Sequence, residues 1–147
     1  MLVESKGKQI NIELKYYDDK YYKAEAFSED GEVMGVITFK PDGRGSMWLQ
    51  YIATNEKFQN MGVGDALLSV MEYRAVTTRI RNIEGKFYPS NDKAKPFYEN
   101  RGYNIYKDGY ETYLDKSLNI AQVISETEPR ITNYEVTQVP REAQSEM

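Results

Sequence analysis

The hydropathy period of this chain changes once, and that change limits the fold more than any other feature. From Lys8 to Phe58 apolar residues alternate with polar ones between turn signals. Gln9 to Tyr17 carries Ile10, Ile12, Leu14 and Tyr16 on one parity, the period of a half-buried strand. Asp18-Asp19-Lys20 reads as a tight turn, and Tyr21 to Phe27 sets Tyr22, Ala24 and Ala26 against Tyr21, Lys23 and Glu25. Glu29-Asp30-Gly31 closes that hairpin, Val33 to Lys40 is a third strand, and Pro41-Asp42-Gly43-Arg44-Gly45 turns into a fourth, Met47 to Ala53. An antiparallel meander is predicted. From Gly62 to about Thr78 the period lengthens: Val63, Ala66, Leu67, Val70 and Met71 recur at helical spacing, with Asp65, Glu72 and Arg74 on other faces.

Downstream, Asn82 to Tyr88 reads as a strand, Pro89 to Asp92 as a turn, and Lys93 to Asn100 as a short helix that Gly102 terminates. Tyr103 to Lys107 and Tyr110 to Asp115 form a hairpin across Asp108-Gly109. After Lys116 apolar density falls. Residues 1–118 are therefore expected to form a single α+β domain, and 119–147 a polar tail, extended or disordered. A length of 147 residues, 40% of them hydrophobic, suits one cored domain.

The chain has no Cys and no His, so disulfides, thiolate nucleophiles, Cys/His zinc sites and imidazole bases are excluded; no metal is expected. Nineteen Lys and Arg against 23 Asp and Glu give a net charge of -4. That balance argues against nucleic acid, which needs clustered positive charge. MLVESKGKQI lacks the apolar core of a signal peptide, and no window approaches the ~18 apolar residues that span a bilayer. The expectation is a cytoplasmic protein without a membrane partner.

Function concentrates between the fourth strand and the long helix, at Gln59-Asn60-Met61-Gly62-Val63-Gly64. Two Gly residues opening a helix allow close approach of a ligand to the backbone. The N–H groups of the first turn, aided by the helix dipole, bind phosphate oxygens, and a pyrophosphate is the natural guest. A plain Gly-rich turn is the alternative. No Lys-Ser/Thr follows, so this is not a Walker loop, and the Gly spacing is too short for a dinucleotide fingerprint.

A second constellation, Asn91-Asp92-Lys93-Ala94-Lys95-Pro96-Phe97-Tyr98-Glu99-Asn100-Arg101-Gly102-Tyr103, resembles the N-x-x-A-x-x-F-Y-x-x-x-G-F signature of the GNAT superfamily of N-acetyltransferases. The Gly loop, with Ile52-Ala53-Thr54 before it and Ala66-Leu67-Leu68 after it, is similar to the acyl-CoA motif of the same family, and both motifs stand in family order over roughly Met47 to Leu114. The resemblance implies a mixed, mostly antiparallel sheet whose fourth and fifth strands splay apart, a long helix after the Gly loop and a short second helix. It also implies acetyl-CoA as cosubstrate. Ile52, Ala53 and Thr54 would offer main-chain contacts to the pantetheine. Met61, Gly62, Val63 and Gly64 would give backbone N–H groups to the pyrophosphate, Asn91 would hold the pantetheine arm from the second helix, and Gln59, Asn60, Asp65, Ala94 and Tyr98 would complete the cofactor site. Replacing Gly62 is expected to block the ligand while sparing the fold.

The reaction so implied moves the acetyl group to a primary amine by direct attack in a ternary complex, since no Cys can carry it. The resemblance assigns to Tyr98 the protonation of the leaving thiolate; otherwise Tyr98 is a packed aromatic. Some family members carry a Glu on the fourth strand where this chain has Trp48. Glu84 on the fifth strand and Glu56 in the loop remain as base candidates, beside a water relay. A second departure is at the front: Asp18-Asp19-Lys20 leaves no room for the helices that usually follow the first strand, so the acceptor side should be open. That suits a protein lysine or N-terminus, or a site completed by a second subunit in a homodimer, better than an enclosed small-molecule pocket; the acidic surface keeps a small cationic amine open as the other acceptor. The alternative function is a CoA-binding regulatory module with little or no turnover.

Overall fold

The computed structural model describes residues 1–88 and 93–140. One mixed sheet runs in the order β7-β8-β6-β5-β4-β3-β2-β1-β9, with β10 beside β2. Its strands are β1 Leu2–Ser5, β2 Lys8–Tyr17, β3 Tyr21–Phe27, β4 Val33–Pro41, β5 Ser46–Thr54, β6 Asn82–Phe87, β7 Asn104–Asp108, β8 Glu111–Ser117, β9 Ile131–Thr132 and β10 Val136–Val139. Three α-helices, α1 Val63–Thr77, α2 Ala94–Asn100 and α3 Ile120–Thr127, complete it. The β5-β6 and β10-β2 pairs are parallel and the others antiparallel. The meander read from alternation is therefore present, as β2 to β5.

Alternation also selects the face on which the core lies. Ile10, Ile12, Leu14, Ala24, Ala26, Ile37, Phe39, Met47, Leu49 and Ile83 are buried on one face, where Val63, Ala66, Leu67, Val70 and Met71 of α1 pack. The opposite face carries Glu13, Lys15, Lys23, Glu25, Trp48 and Glu84 and, among the described residues, no helix covers it. Three residues join β2 to β3, with Asp18 and Asp19 at φ 49° and 55°, so no helix lies between them. β1 was not anticipated. It folds back on β2 through Lys6 and Gly7, at φ 51° and 77°.

The expectation of an extended or disordered tail fails for residues 119–140. Ten of the fifteen α1 residues are buried, too many for the one stripe that faces the sheet. The C-terminal segment covers the rest. Asn119 caps α3 by accepting the Gln122 N–H at 3.0 Å. Val123 and Thr127 are buried, Ile120 and Ile124 pack on the same core, and β9 and β10 then join β1 and β2. The stretch is poor in apolar residues, but it places them at Ile120, Val123 and Ile124, one side of a helix.

Candidate active site

β5 is where the sheet opens. It pairs with β6 from Ser46↔Asn82 to Leu49↔Gly85 and no further, although β5 continues to Thr54 and β6 to Phe87. The splay stands where it was expected, and its cause is local. Across from β4, Phe39 pairs with Leu49 and Thr38 with Tyr51, so Gln50 is an extra residue, a bulge at the last β5-β6 rung. A Cβ on Gly85 would lie 3.0 Å from the Leu49 carbonyl oxygen, so this closest rung needs glycine.

Above the bulge, β5 has a partner on one side only. Asn55 N–H bonds Met34 O at 2.9 Å. Antiparallel alternation then directs the backbone groups of Ala53 to β4 and those of Ile52 and Thr54 into the fork. Of the three main-chain contacts expected from sequence, Ile52 and Thr54 are aimed at the opening. Ala53 is not, because its N–H and C=O belong to the β4 ladder.

The fork leads to the α1 N-terminus. Gly62 caps it at φ 84°, and the first N–H of the helix with a partner is that of Ala66, which donates to Gly62 O at 3.0 Å. Among the described residues, the N–H groups of Val63, Gly64 and Asp65 find no acceptor. That cluster of free donors, beside a fork whose backbone is also unpaired, fits a pyrophosphate with an extended arm. Gln59 and Asn60 are exposed in the loop, Asn60 at φ 64°, and Met61 packs against the core.

Two expectations about this loop change. A Cβ on Gly62 would meet Ser5 Oγ at 2.6 Å, and the positive φ strains any other residue, so replacing Gly62 damages the fold as well as ligand approach. The Asp65 carboxylate is taken up by neighbouring side chains. It accepts from Arg101 Nη1 and from Arg130 Nη2 at 2.8 Å, and lies 2.7 Å from Ser5 Oγ. Only its N–H remains for a ligand. Ser5 Oγ is also 2.9 Å from Gly62 O, and its single proton serves one acceptor at a time. The polar row continues one and two turns on. Ser69 receives Arg130 Nη1 at 3.2 Å, and buried Glu72 receives Lys116 at 2.8 Å, the Tyr103 hydroxyl at 3.0 Å and Arg101 Nη2 at 3.3 Å. Burial pushes the Glu72 carboxyl up, against the pull of Lys116 and Tyr103. Ser5, Arg101 and Arg130 were not anticipated; 60, 36 and 65 residues separate them from Asp65, and no sequence period joins them.

Helix α2 lies across the first turn of α1. A Cβ on Gly64 would come within 2.9 Å of the Phe97 ring, so a bare backbone lets Phe97 sit on the loop. Ala94 is half-buried at the start of α2, and Asn91 lies outside the described residues. Tyr98 is buried among Phe87, Phe97 and Tyr103 in edge contacts with centroids 5.3 to 6.1 Å apart. Its hydroxyl meets no acceptor among the described residues, and burial raises its pKa to about 12.

Glu84 pairs with Trp48 on one side and Asp115 on the other, on the helix-free face. Tyr98 packs with Phe87 on the helix face. The two candidate catalytic groups thus lie on opposite faces with the fork between them. Glu56 is exposed in the 3-10 turn after β5, beyond the strand that borders the fork.

Solved structures share this fold. A GNAT acetyltransferase of Staphylococcus aureus Mu50 superposes with a TM-score of 0.63 at 17% identity, over 67% of this chain and 68% of that one. The PaiA N-acetyltransferase of Thermoplasma acidophilum, in complex with coenzyme A, gives 0.61 at 19%, over 67% and 61%. In sequence, the uncharacterized protein YdhI of Bacillus subtilis strain 168 is 33% identical over 80 residues, 54% of this chain and 48% of that protein, so the match spans about half the relative's length. Residues 4–103 match the Acetyltransferase (GNAT) family, from β1 through both Gly-loop and α2 motifs, and with the forked sheet described above this chain belongs to that family.

Proposed function

We propose that the protein is an acyl-CoA-dependent N-acyltransferase that passes an acetyl group from acetyl-CoA to a primary amine. One observation carries the reading: the fork between β5 and β6 opens directly onto an α1 N-terminus whose N–H groups are unpartnered. Acetyl-CoA supplies the activated acyl carbon; the chain supplies position and charge. Val63, Gly64 and Asp65 N–H groups hold the pyrophosphate, and the Ile52 and Thr54 backbones bond the pantetheine as a strand would. An N–H of β5 facing the fork stabilises negative charge developing on the thioester oxygen.

Two proton movements remain. The incoming amine is an ammonium near neutral pH and must lose a proton before it forms the C–N bond. Glu84 occupies the rung directly opposite Trp48 and so restores a carboxylate where the fourth-strand Glu is missing. It takes that proton directly or through water. On the other face the C–S bond breaks and the sulfur needs a donor. A Tyr98 hydroxyl raised to about 12 is a weaker acid than a thiol near ~8.5, so it acts by donating a hydrogen bond to the departing sulfur, and the thiolate takes its proton from water.

Calorimetry with acetyl-CoA and release of free CoA in the presence of primary amines test this together. Binding at micromolar levels with amine-dependent CoA release is expected. Binding with no release from any amine would establish the alternative reading, a CoA-binding module, which Trp48 in place of the usual carboxylate favours. No binding would remove both.

A further inference from the structure

We propose that the helix-free face beside the fork receives a lysine side chain displayed on a polypeptide, which would be the acceptor in the acetyl transfer proposed above. A cavity of about 210 Å³ opens on this face, walled by Trp48, Glu84, Tyr106, Asp108 and Tyr113 and floored by the backbone at Gly85. Gly85 forms the last β5-β6 rung, so the cavity adjoins the point where the fork begins. Its size lies below the roughly 300–1,000 Å³ that encloses a drug-sized molecule and suits one extended side chain.

The walls match an alkylammonium. Tyr106 and Tyr113 stack with centroids 5.8 Å apart and, with Trp48, offer apolar flanks for methylenes and ring faces for a cation. Glu84 and Asp108 have no ionic partner among the described residues. Asp115 on the same face takes a hydrogen bond from Asn104 Nδ2 at 3.1 Å and otherwise faces no cation. Lysines are also present: Lys40 pairs with Trp48 across β4 and β5, while Lys86 is matched by Glu111 at 3.9 Å. The balance is negative. Consistently, the Tyr106 hydroxyl is pushed up by burial and by Asp115, Glu84 and Asp108.

The surroundings favour a polypeptide over a free amine. Tyr51, Tyr88, Tyr106 and Tyr110 are 58%, 70%, 44% and fully exposed, and these four of the six exposed large apolar side chains among the described residues lie on or next to the strands bordering the cavity. Exposed tyrosines around a small anionic slot are the composition of a protein-contact surface, whereas a free diamine would use the slot alone. Only three residues link β2 to β3, so no helix from that connection roofs the surface.

Trp48 is the only tryptophan in the chain and serves as reporter. Saturable change in its fluorescence is expected when a ten-residue, end-capped peptide with one central lysine is added to the CoA-loaded protein, and none when norleucine replaces that lysine. In turnover, kcat/KM for the peptide should exceed that for cadaverine at least tenfold. Asp108→Asn and Tyr106→Ala should each raise KM for the peptide several-fold with acetyl-CoA affinity unchanged. Equal or better use of cadaverine, or a peptide KM that neither substitution moves, overturns the inference while leaving acetyl transfer standing. Failure to bind acetyl-CoA overturns both.

Discussion

The two halves of β5 are built from similar residues and differ in what borders them. Ser46 to Leu49 is hydrogen-bonded on both sides; Ile52 to Thr54 is bonded by β4 alone. Helix α1 repeats the contrast along its axis. Its first turn leaves three N–H groups without acceptors among the described residues, while the row Asp65, Ser69 and Glu72 is matched by Ser5, Arg101, Tyr103, Lys116 and Arg130. Ligand capacity in this molecule therefore comes from pairing that is withheld, and the saturated neighbour of each open segment holds it in that state.

The largest expected effect comes from breaking the saturated side. Truncation after Leu118 removes Val123, Thr127 and Arg130, uncovers α1 and leaves Asp65 with Arg101 and Ser5 alone. Each apolar side chain of the core that α3 covers loses burial worth ~1.5–3 kcal/mol when fully exposed, and a domain has only ~5–15 kcal/mol in all. The truncated chain should lack a cooperative thermal transition; a folded product that still binds acetyl-CoA would show that the saturated side is dispensable.

Turnover is the next scale. Tyr98→Phe keeps the aromatic edge contacts and removes the hydroxyl proposed to hydrogen-bond the leaving sulfur, so kcat should fall about tenfold, the worth of one such bond at ~1.5 kcal/mol, with acetyl-CoA affinity held. Because burial holds Tyr98 near 12, neither parent nor variant should show a basic limb from this group below about pH 11. The same shift has a stability consequence. An unfolded tyrosine titrates near ~10, so between pH 10 and 12 the unfolded chain releases a proton that the folded one keeps. Parent stability then drops by about 1 kcal/mol per pH unit over that window, and the slope should be shallower in Tyr98→Phe. Equal slopes in urea titrations at pH 9 and 11 would count against the burial of this hydroxyl.

A smaller contrast separates adjacent residues of β5. Ala53→Pro deletes an N–H that serves β4 and orphans a carbonyl on Val36, costing about 2 kcal/mol or more of stability. Thr54→Pro deletes one that faces the fork, so stability should hardly move while acetyl-CoA affinity falls about tenfold. Reversed outcomes would mean that the alternation, and with it the assignment of open and closed groups, is inverted.

What could be read in the sequence follows the same division. Strands β2 to β5 were legible because Ile10, Ile12 and Leu14 or Tyr22, Ala24 and Ala26 repeat locally, and turn residues punctuate them. The Gly loop was legible as a candidate ligand site because the donors it offers are consecutive backbone groups. The role of Gly62 against Ser5, the capture of Asp65 by Arg101 and Arg130, and the loss of Ala53 to β4 depend on residues that meet only in the folded sheet. In α3 the signal was present, an Asn119 cap followed by Ile120, Val123 and Ile124, but eight residues of helix amid polar chain fall below what apolar density reveals.

The bond from Arg130 to Asp65 also orders events in time. It spans 65 residues, and β10 reaches back from Val136 to pair in parallel with Leu14. On the ribosome, β2 to β5 and the Gly loop emerge early and can pair as they appear, yet the clasp of Arg130 on Asp65 forms only after Arg130 has left the exit tunnel. A nascent chain stalled before Arg130 should therefore carry every residue of the Gly loop and still hold that loop loosely, so that the loop is set only once Arg130 has been made.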